Sequence, residues 1–225
     1  VEGRNFSIRK NVLKYDDVMN AQREIIYAQR RQVLDGENLK DSIAKIIDGV
    51  AEGIVDTYVT EEGINKDALI QDIATTFGIN KLEILENKKA DREKILLELQ
   101  EKAHSKYEEK EKDFGEKTIR ELERVVMLKI VDERWMDHID AMDELKDGIG
   151  LRAYAQKDPV VQYRIEGFEM FDQMVADIQL NVVKILMNAR KREGAPARQE
   201  SVKITGEGLE DETISLKGKA PSGEK

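Results

Sequence analysis

The 225 residues contain no cysteine. That excludes disulfides, thiolate zinc sites and a cysteine nucleophile. Proline is scarce and late: Pro159, Pro196 and Pro221 are the three, so no proline interrupts a helix before position 159. Aromatic residues make up only 5%. An excess of positive charge is also missing. Lysine and arginine number 37 against 46 aspartates and glutamates, for a net charge of −9. A surface that neutralises phosphates needs the opposite balance, so no nucleic-acid partner is expected. No apolar run approaches the roughly 18 to 20 residues of a membrane span. Val1-Glu2-Gly3-Arg4 is neither a signal peptide nor a natural start, so the sequence is expected to be a cytosolic piece of something longer. Its length suits one or two domains. What is present, 40% apolar and 37% charged residues with few helix breakers, predicts an all-α fold.

The spacing predicts a first long helix over residues 5–34. Ile8, Val12, Tyr15, Met19, Gln22, Ile26, Gln29 and Val33 alternate steps of four and three and share one face. Two glutamines make the second half of that stripe wet. Such a rod is roughly 45 Å long and needs several neighbours. Residues 38–59 carry a second pattern through Leu39, Ile43, Ile46, Val50, Ile54 and Tyr58. Shorter pieces follow. Asn65 can cap a helix that Gly78 ends, Asn80 can cap a turn, and Asp91 can cap a helix through Leu96, Leu99, Ala103 and Tyr107. The charge run 106–113 reads as a solvated face.

Two further stripes are longer. Residues 116–146 carry Leu128, Val131, Trp135, Ile139, Met142 and Leu145; residues 159–190 carry Val161, Ile165, Phe168, Phe171, Val175, Ile178, Val182 and Ile185. Asp158-Pro159 starts the second one, with aspartate as cap and proline at the first helical position. Two helices of this kind should pack as an antiparallel hairpin. The connection 147–158 is long for such a pair and holds Ile149, Leu151, Arg152, Tyr154 and Lys157. It either projects as a probe or folds back over its own apolar residues. After Glu193 the glycine-rich tail has too little apolar surface to offset ordering, so a flexible linker is expected over 193–225. A weak hairpin pairing Val202/Ile204 with Ile214/Leu216 is the less favoured alternative.

No constellation for catalysis emerges. Gly148-Ile149-Gly150-Leu151-Arg152-Ala153 fits a dinucleotide-binding string but follows a helix instead of a strand. His138 has Arg134, Trp135, Ala141 and Met142 at ligand spacing, so it is expected to be a polar surface residue and not a metal ligand; His104 reads the same way. Asp132, Asp137, Asp140, Asp143 and Glu144 scatter around their helix. No catalytic residue, metal ligand or cofactor is assigned.

Two long strings carry a family resemblance. Asn5-Phe6-Ser7-Ile8-Arg9-Lys10-Asn11-Val12-Leu13-Lys14-Tyr15-Asp16-Asp17-Val18-Met19-Asn20, followed by Gln22-Arg23, resembles the start of the helical scaffold of SecA, the family of bacterial preprotein translocase ATPases. Met127 through Trp135-Met136-Asp137-His138 to Gly148-Ile149, then Leu151-Arg152-Ala153-Tyr154-Ala155-Gln156-Lys157-Asp158-Pro159, resembles that family's two-helix finger. Tyr163 and Glu166-Gly167-Phe168-Glu169-Met170-Phe171 continue it. The likeness spans roughly residues 3–190.

The resemblance implies a layout: residues 1–46 as the first part of the scaffold, 47–113 as the helical wing, 114–192 as the rest of the scaffold with the finger (tip 147–158), and 193–225 as the linker. It implies that Ile149, Leu151, Arg152, Ala153, Tyr154 and Lys157 contact the SecY channel and an unfolded preprotein, Tyr154 foremost. Arg9, Tyr15, Asp16, Asp17 and Arg23 would touch the motor domains. ATP and magnesium would belong to motor domains that these residues do not include. The cysteine-rich zinc tail of many members has no counterpart in a chain without cysteine. The implied location is the cytoplasmic face of the plasma membrane, peripherally bound to its anionic surface. A helical adaptor module without a translocase role is the alternative.

Overall fold

The computed structural model describes the backbone of residues 2–35, 39–86, 91–152, 158–191, 200–204 and 212–216; within these, the side chains of 2–12, 150–152, 200–204 and 212–216 are not described. The described residues form α1 (Glu2–Asp35), α2 (Leu39–Tyr58), β1 (Val59–Thr60), β2 (Gly63–Ile64), α3 (Lys66–Phe77), α4 (Arg92–Phe114), α5 (Glu116–Arg152), α6 (Pro159–Asn188), β3 (Ala189–Lys191), β4 (Glu200–Ile204) and β5 (Glu212–Leu216). A single 3-10 turn, Glu83–Glu86, lies between α3 and α4. The chain is predominantly helical, as its composition predicts. It divides into two compact units, residues 1–37 with 127–178, and 38–126 with 179–225.

The first unit is built from α1 and the facing parts of α5 and α6. Contacts fix the directions. Climbing α5, His138 meets Phe171 with ring centroids 5.7 Å apart, and Met142 meets the earlier residues Gly167 and Tyr163, so α5 and α6 run antiparallel. On α1, Asp16 faces Lys146, Gln22 faces His138 and Arg30 faces Asp132, so α1 is antiparallel to α5. Tyr15 against Tyr163 and Gln22 against Gly167 make it parallel to α6. The expected helical hairpin is present, but with α1 as a third packed member. Ile26 and Val33 of α1, Val131, Trp135 and Met142 of α5, and Tyr163 and Phe171 of α6 are buried.

Two expectations about α6 and α5 are corrected. Val161, Ile165 and Phe168 were expected on the seam; they are 52%, 49% and 62% exposed. Steps of three and four fit more than one face of a helix. The face that won carries Val160, Tyr163, Gly167 and Phe171, because Gly167 lets its neighbours come close. A Cβ at position 167 would lie 2.7 Å from Cε of Met142. The helix α5 was expected to stop near 146, yet it continues through Gly148 to Arg152. Leu145 and Ile149 are buried on its inner face and prolong the core to that end.

The second unit takes in more than the 47–113 stretch. Helix α2 packs against α3 and α4. Ile43, Ile47, Ala51 and Val55 meet a core of Leu69, Ile73, Phe77, Ile95, Leu99 and Ala103. The helix ends follow the sequence closely. The Asn65 side chain accepts from the Ala68 amide at 3.4 Å, and that of Asp91 from the Lys94 amide at 3.0 Å. Gly78 takes the left-handed conformation at φ 63°, where any Cβ would be strained. The freed carbonyls of Phe77 and Gly78 both accept from Lys106 Nζ at 2.7 Å. In the first unit Asp158 starts α6, its side chain accepting from the Val160 amide at 2.9 Å.

The second unit also holds a three-stranded antiparallel sheet ordered β3-β4-β5, with Val202 opposite Ile214. These strands realise the hairpin that was the less favoured reading. Apart from β4 and β5, the expected linker lies outside the described residues.

Candidate functional site

The expected finger tip falls at the α5–α6 connection. Ala153, Tyr154 and Lys157 lie outside the described residues, and Leu151 and Arg152 belong to α5 with their side chains outside them. Ile149 is 1% exposed and packs with Met142, Leu145 and Tyr163. Its expected role as a contact residue is therefore corrected: it closes the core at the end of the hairpin. Burying such a side chain contributes about 1.5–3 kcal/mol. Partly buried Tyr15, Val18, Met19 and Met170 pack on the same cluster.

The expected motor-facing residues of α1 separate into two kinds. Tyr15 stacks edge-to-face on Tyr163, centroids 4.8 Å apart at 74°. Asp16 lies 3.4 Å from Lys146 Nζ. Both are engaged with the hairpin. Asp17 is exposed; Arg23 is exposed and donates to Asn20 at 3.2 Å on its own helix. The side chain of Arg9 lies outside the described residues. Burial, then the negative charges of Asp143 and Asp16, push the Tyr163 phenol up to about 12, so it stays a neutral hydroxyl at physiological pH.

The most consequential polar group was missed in the sequence. His138, expected on the surface, is 4% exposed. Its Nε2 is 2.9 Å from Oε1 of Gln22, itself 7% exposed. Gln22 Nε2 donates to the Gly167 carbonyl, also at 2.9 Å. The proton positions follow from chemistry. A carbonyl only accepts, so the amide nitrogen must face Gly167; the amide oxygen then faces His138, whose Nε2 must carry the hydrogen. Burial holds the His138 pKa below its usual 6.5 and favours the neutral ring. The periodicity had already put Gln22 on the inward stripe of α1. A glutamine on an apolar stripe was the available signal that a polar partner waits inside.

Beside His138, α5 and α6 frame an open groove of about 430 Å³. Met170 and Met174 line it, and Arg134, Asp137, Glu169 and Asp177 bring charge to it. The second unit has a different polar cluster. Glu123 is fully buried, accepting from Tyr107 OH and from Arg120 Nη1 at 2.7 and 2.6 Å. Arg120 also binds Glu111, which pairs with Lys40 at 2.7 Å. His104 bonds Asp48 at 2.7 Å. Among the described residues no group of three or more histidines, aspartates or glutamates is placed to hold a metal, and no helix is long and apolar enough to cross a membrane.

The family model for the SecA wing and scaffold domain matches residues 1–190. The protein translocase subunit SecA of Acetivibrio thermocellus is 48% identical over 213 residues, covering 89% of this chain and 23% of its own length. That of Desulforamulus reducens is 45% identical, covering 98% of this chain and 25% of its own length. That of Clostridium perfringens is 44% identical, covering 92% and 25%. The chain thus spans about a quarter of the length of the curated relatives it matches.

Proposed function

The chain belongs to the SecA wing-and-scaffold family, and from that premise we propose that it is the scaffold, wing and two-helix finger of a preprotein-translocating motor. In this reading α5 and α6 are the finger, α1 is the scaffold helix, and the second unit holds the wing. The end of α5 and the connection that follows it meet the SecY channel and the unfolded preprotein through Leu151, Arg152, Ala153, Tyr154 and Lys157. Contact with the motor domains is assigned to Arg9, Asp17 and Arg23. ATP and magnesium are handled by parts of the longer protein that these residues do not include. That protein works on the cytoplasmic face of the plasma membrane, held peripherally at its anionic surface.

The observation that supports this most is the closed core at the end of the hairpin. Met142, Leu145, Ile149 and Tyr163 are all at most 8% exposed and lie within the last turns of α5 and the first of α6. A seam packed to its end resists bending, so a displacement at the base reaches the connection. An aromatic ring there offers broad contact area for little side-chain entropy, which suits a grip indifferent to sequence.

The test is a photo-crosslinking residue at position 154 of the full-length translocase. Adducts to both channel and transiting preprotein are expected. Normal transport with neither adduct would overturn the reading. Tyr154→Ala is expected to impair transport while leaving the melting temperature of this chain unchanged.

A further inference from the structure

We infer that Gln22 is a positioning residue that fixes the register of the three helices in the first unit, with one amide gripping both arms of the hairpin. Its oxygen accepts from His138 on α5 and its nitrogen donates to the Gly167 carbonyl on α6, each at 2.9 Å. A primary amide is a neutral side-chain group that accepts at one end and donates at the other, so one residue can serve both arms.

The positions one turn away show why only this alignment works. On α1 they are Val18 and Ile26, which cannot hydrogen-bond. On α5 they are Arg134, a cation, and Met142, which has no N–H. On α6 they are Tyr163 and Phe171, whose rings would have to enter the space where a Cβ at position 167 already comes within 2.7 Å of Met142 and 3.9 Å of Val18. A slip of α1 by one turn therefore breaks both bonds, and a slip of α5 or α6 breaks the bond to that helix; each leaves a buried polar group without its partner. The apolar contacts discriminate less: Met142 and Met170 are adaptable, and stripes of similar residues tolerate sliding. A buried polar pair that costs stability but selects one alignment is the best-attested use of such groups. This inference does not depend on the translocation reading, since it concerns packing within one unit.

The absence of cysteine makes the test clean. Spin labels on Glu24→Cys with Asp172→Cys report α1 against α6, and on Glu24→Cys with Asp140→Cys report α1 against α5. All three positions are exposed. In Gln22→Leu/His138→Leu the helical content and melting temperature are expected to stay at or above those of the parent. The α1–α6 distance should gain a second population displaced by about 5.4 Å, one helical turn. A single unchanged distance overturns the inference. Loss of the fold overturns it as well, because the pair would then supply stability and not register. Gln22→Glu separates the arms, since a carboxylate accepts from His138 but has no proton for Gly167. The α1–α5 distance should stay single while α1–α6 splits; two unchanged distances overturn the assignment. In the unsubstituted protein, nitrogen NMR should find the His138 proton on Nε2, and a proton on Nδ1 contradicts the clasp.

Discussion

The two units bury polar groups in opposite ways. The first holds a neutral chain, imidazole to amide to carbonyl, in which α1 meets two helices more than a hundred residues further along the sequence. The second holds an ionised cluster, Glu123, Arg120, Glu111 and Lys40, to which the neutral Tyr107 hydroxyl donates and in which Arg120 and Glu123 are neighbours on one helix. A neutral chain is directional and cheap to desolvate, so it specifies alignment. An ionised cluster is costly to desolvate and tolerates varied geometry, yet it punishes loss of a single member. The contrast teaches that burial of a polar group says little until its charge and the origin of its partners are known.

Substitutions can break that contrast in order of effect. Arg120→Ala leaves the fully buried Glu123 carboxylate without its cation and should cost about 3–5 kcal/mol in a denaturant titration. Gly167→Ala forces a Cβ toward Met142 and should cost about 1–3 kcal/mol; Met142→Ala in the same chain should recover part of that loss, because the obstruction is the end of a flexible side chain. Acid sharpens the comparison further. The folded His138 pKa is depressed by burial, so its contribution is whole above about 6.5 and is lost as pH falls through the folded value. Charge near it comes from Arg134, Asp137, Glu169 and Asp177 along the groove. Melting temperatures between pH 8 and pH 5 should fall less in His138→Gln than in the parent. Glu123 has the reverse sign: burial raises its carboxyl against the pull of Tyr107 and Arg120, so its contribution fades as pH rises through that value. Smallest is Gly49→Ala, on the exposed side of α2, where a Cβ meets nothing within 4 Å. It should add up to about 1 kcal/mol, read as a higher melting temperature.

Much of the fold was legible because helix ends are local chemistry. Asn65, Gly78, Asp91 and Asp158-Pro159 each satisfy or free backbone groups within a few residues of themselves, and each behaves as its sequence implies. The tip was legible less well. Residues 147–152 were placed in the connection, but α5 passes through them because Leu145 and Ile149 gain burial by staying helical. The exposed stripe Val161, Ile165 and Phe168 was misread because spacing names a face without saying which face has a neighbour. The strand pairing of Ala189–Lys191 with Glu200–Ile204 depended on a long-range partner that no local pattern reveals.

Composition and periodicity alone determined that this chain is helical, where its capped helices α3, α4 and α6 begin, and that two of its helices form an antiparallel pair, because those properties follow from backbone hydrogen bonds and side-chain spacing within a few turns. Only the tertiary structure decided that α1 is the third member of that bundle, that Ile149 faces inward, and that His138 is buried. Those outcomes turn on close approach at Gly167 and on an amide whose two partners lie more than a hundred residues away.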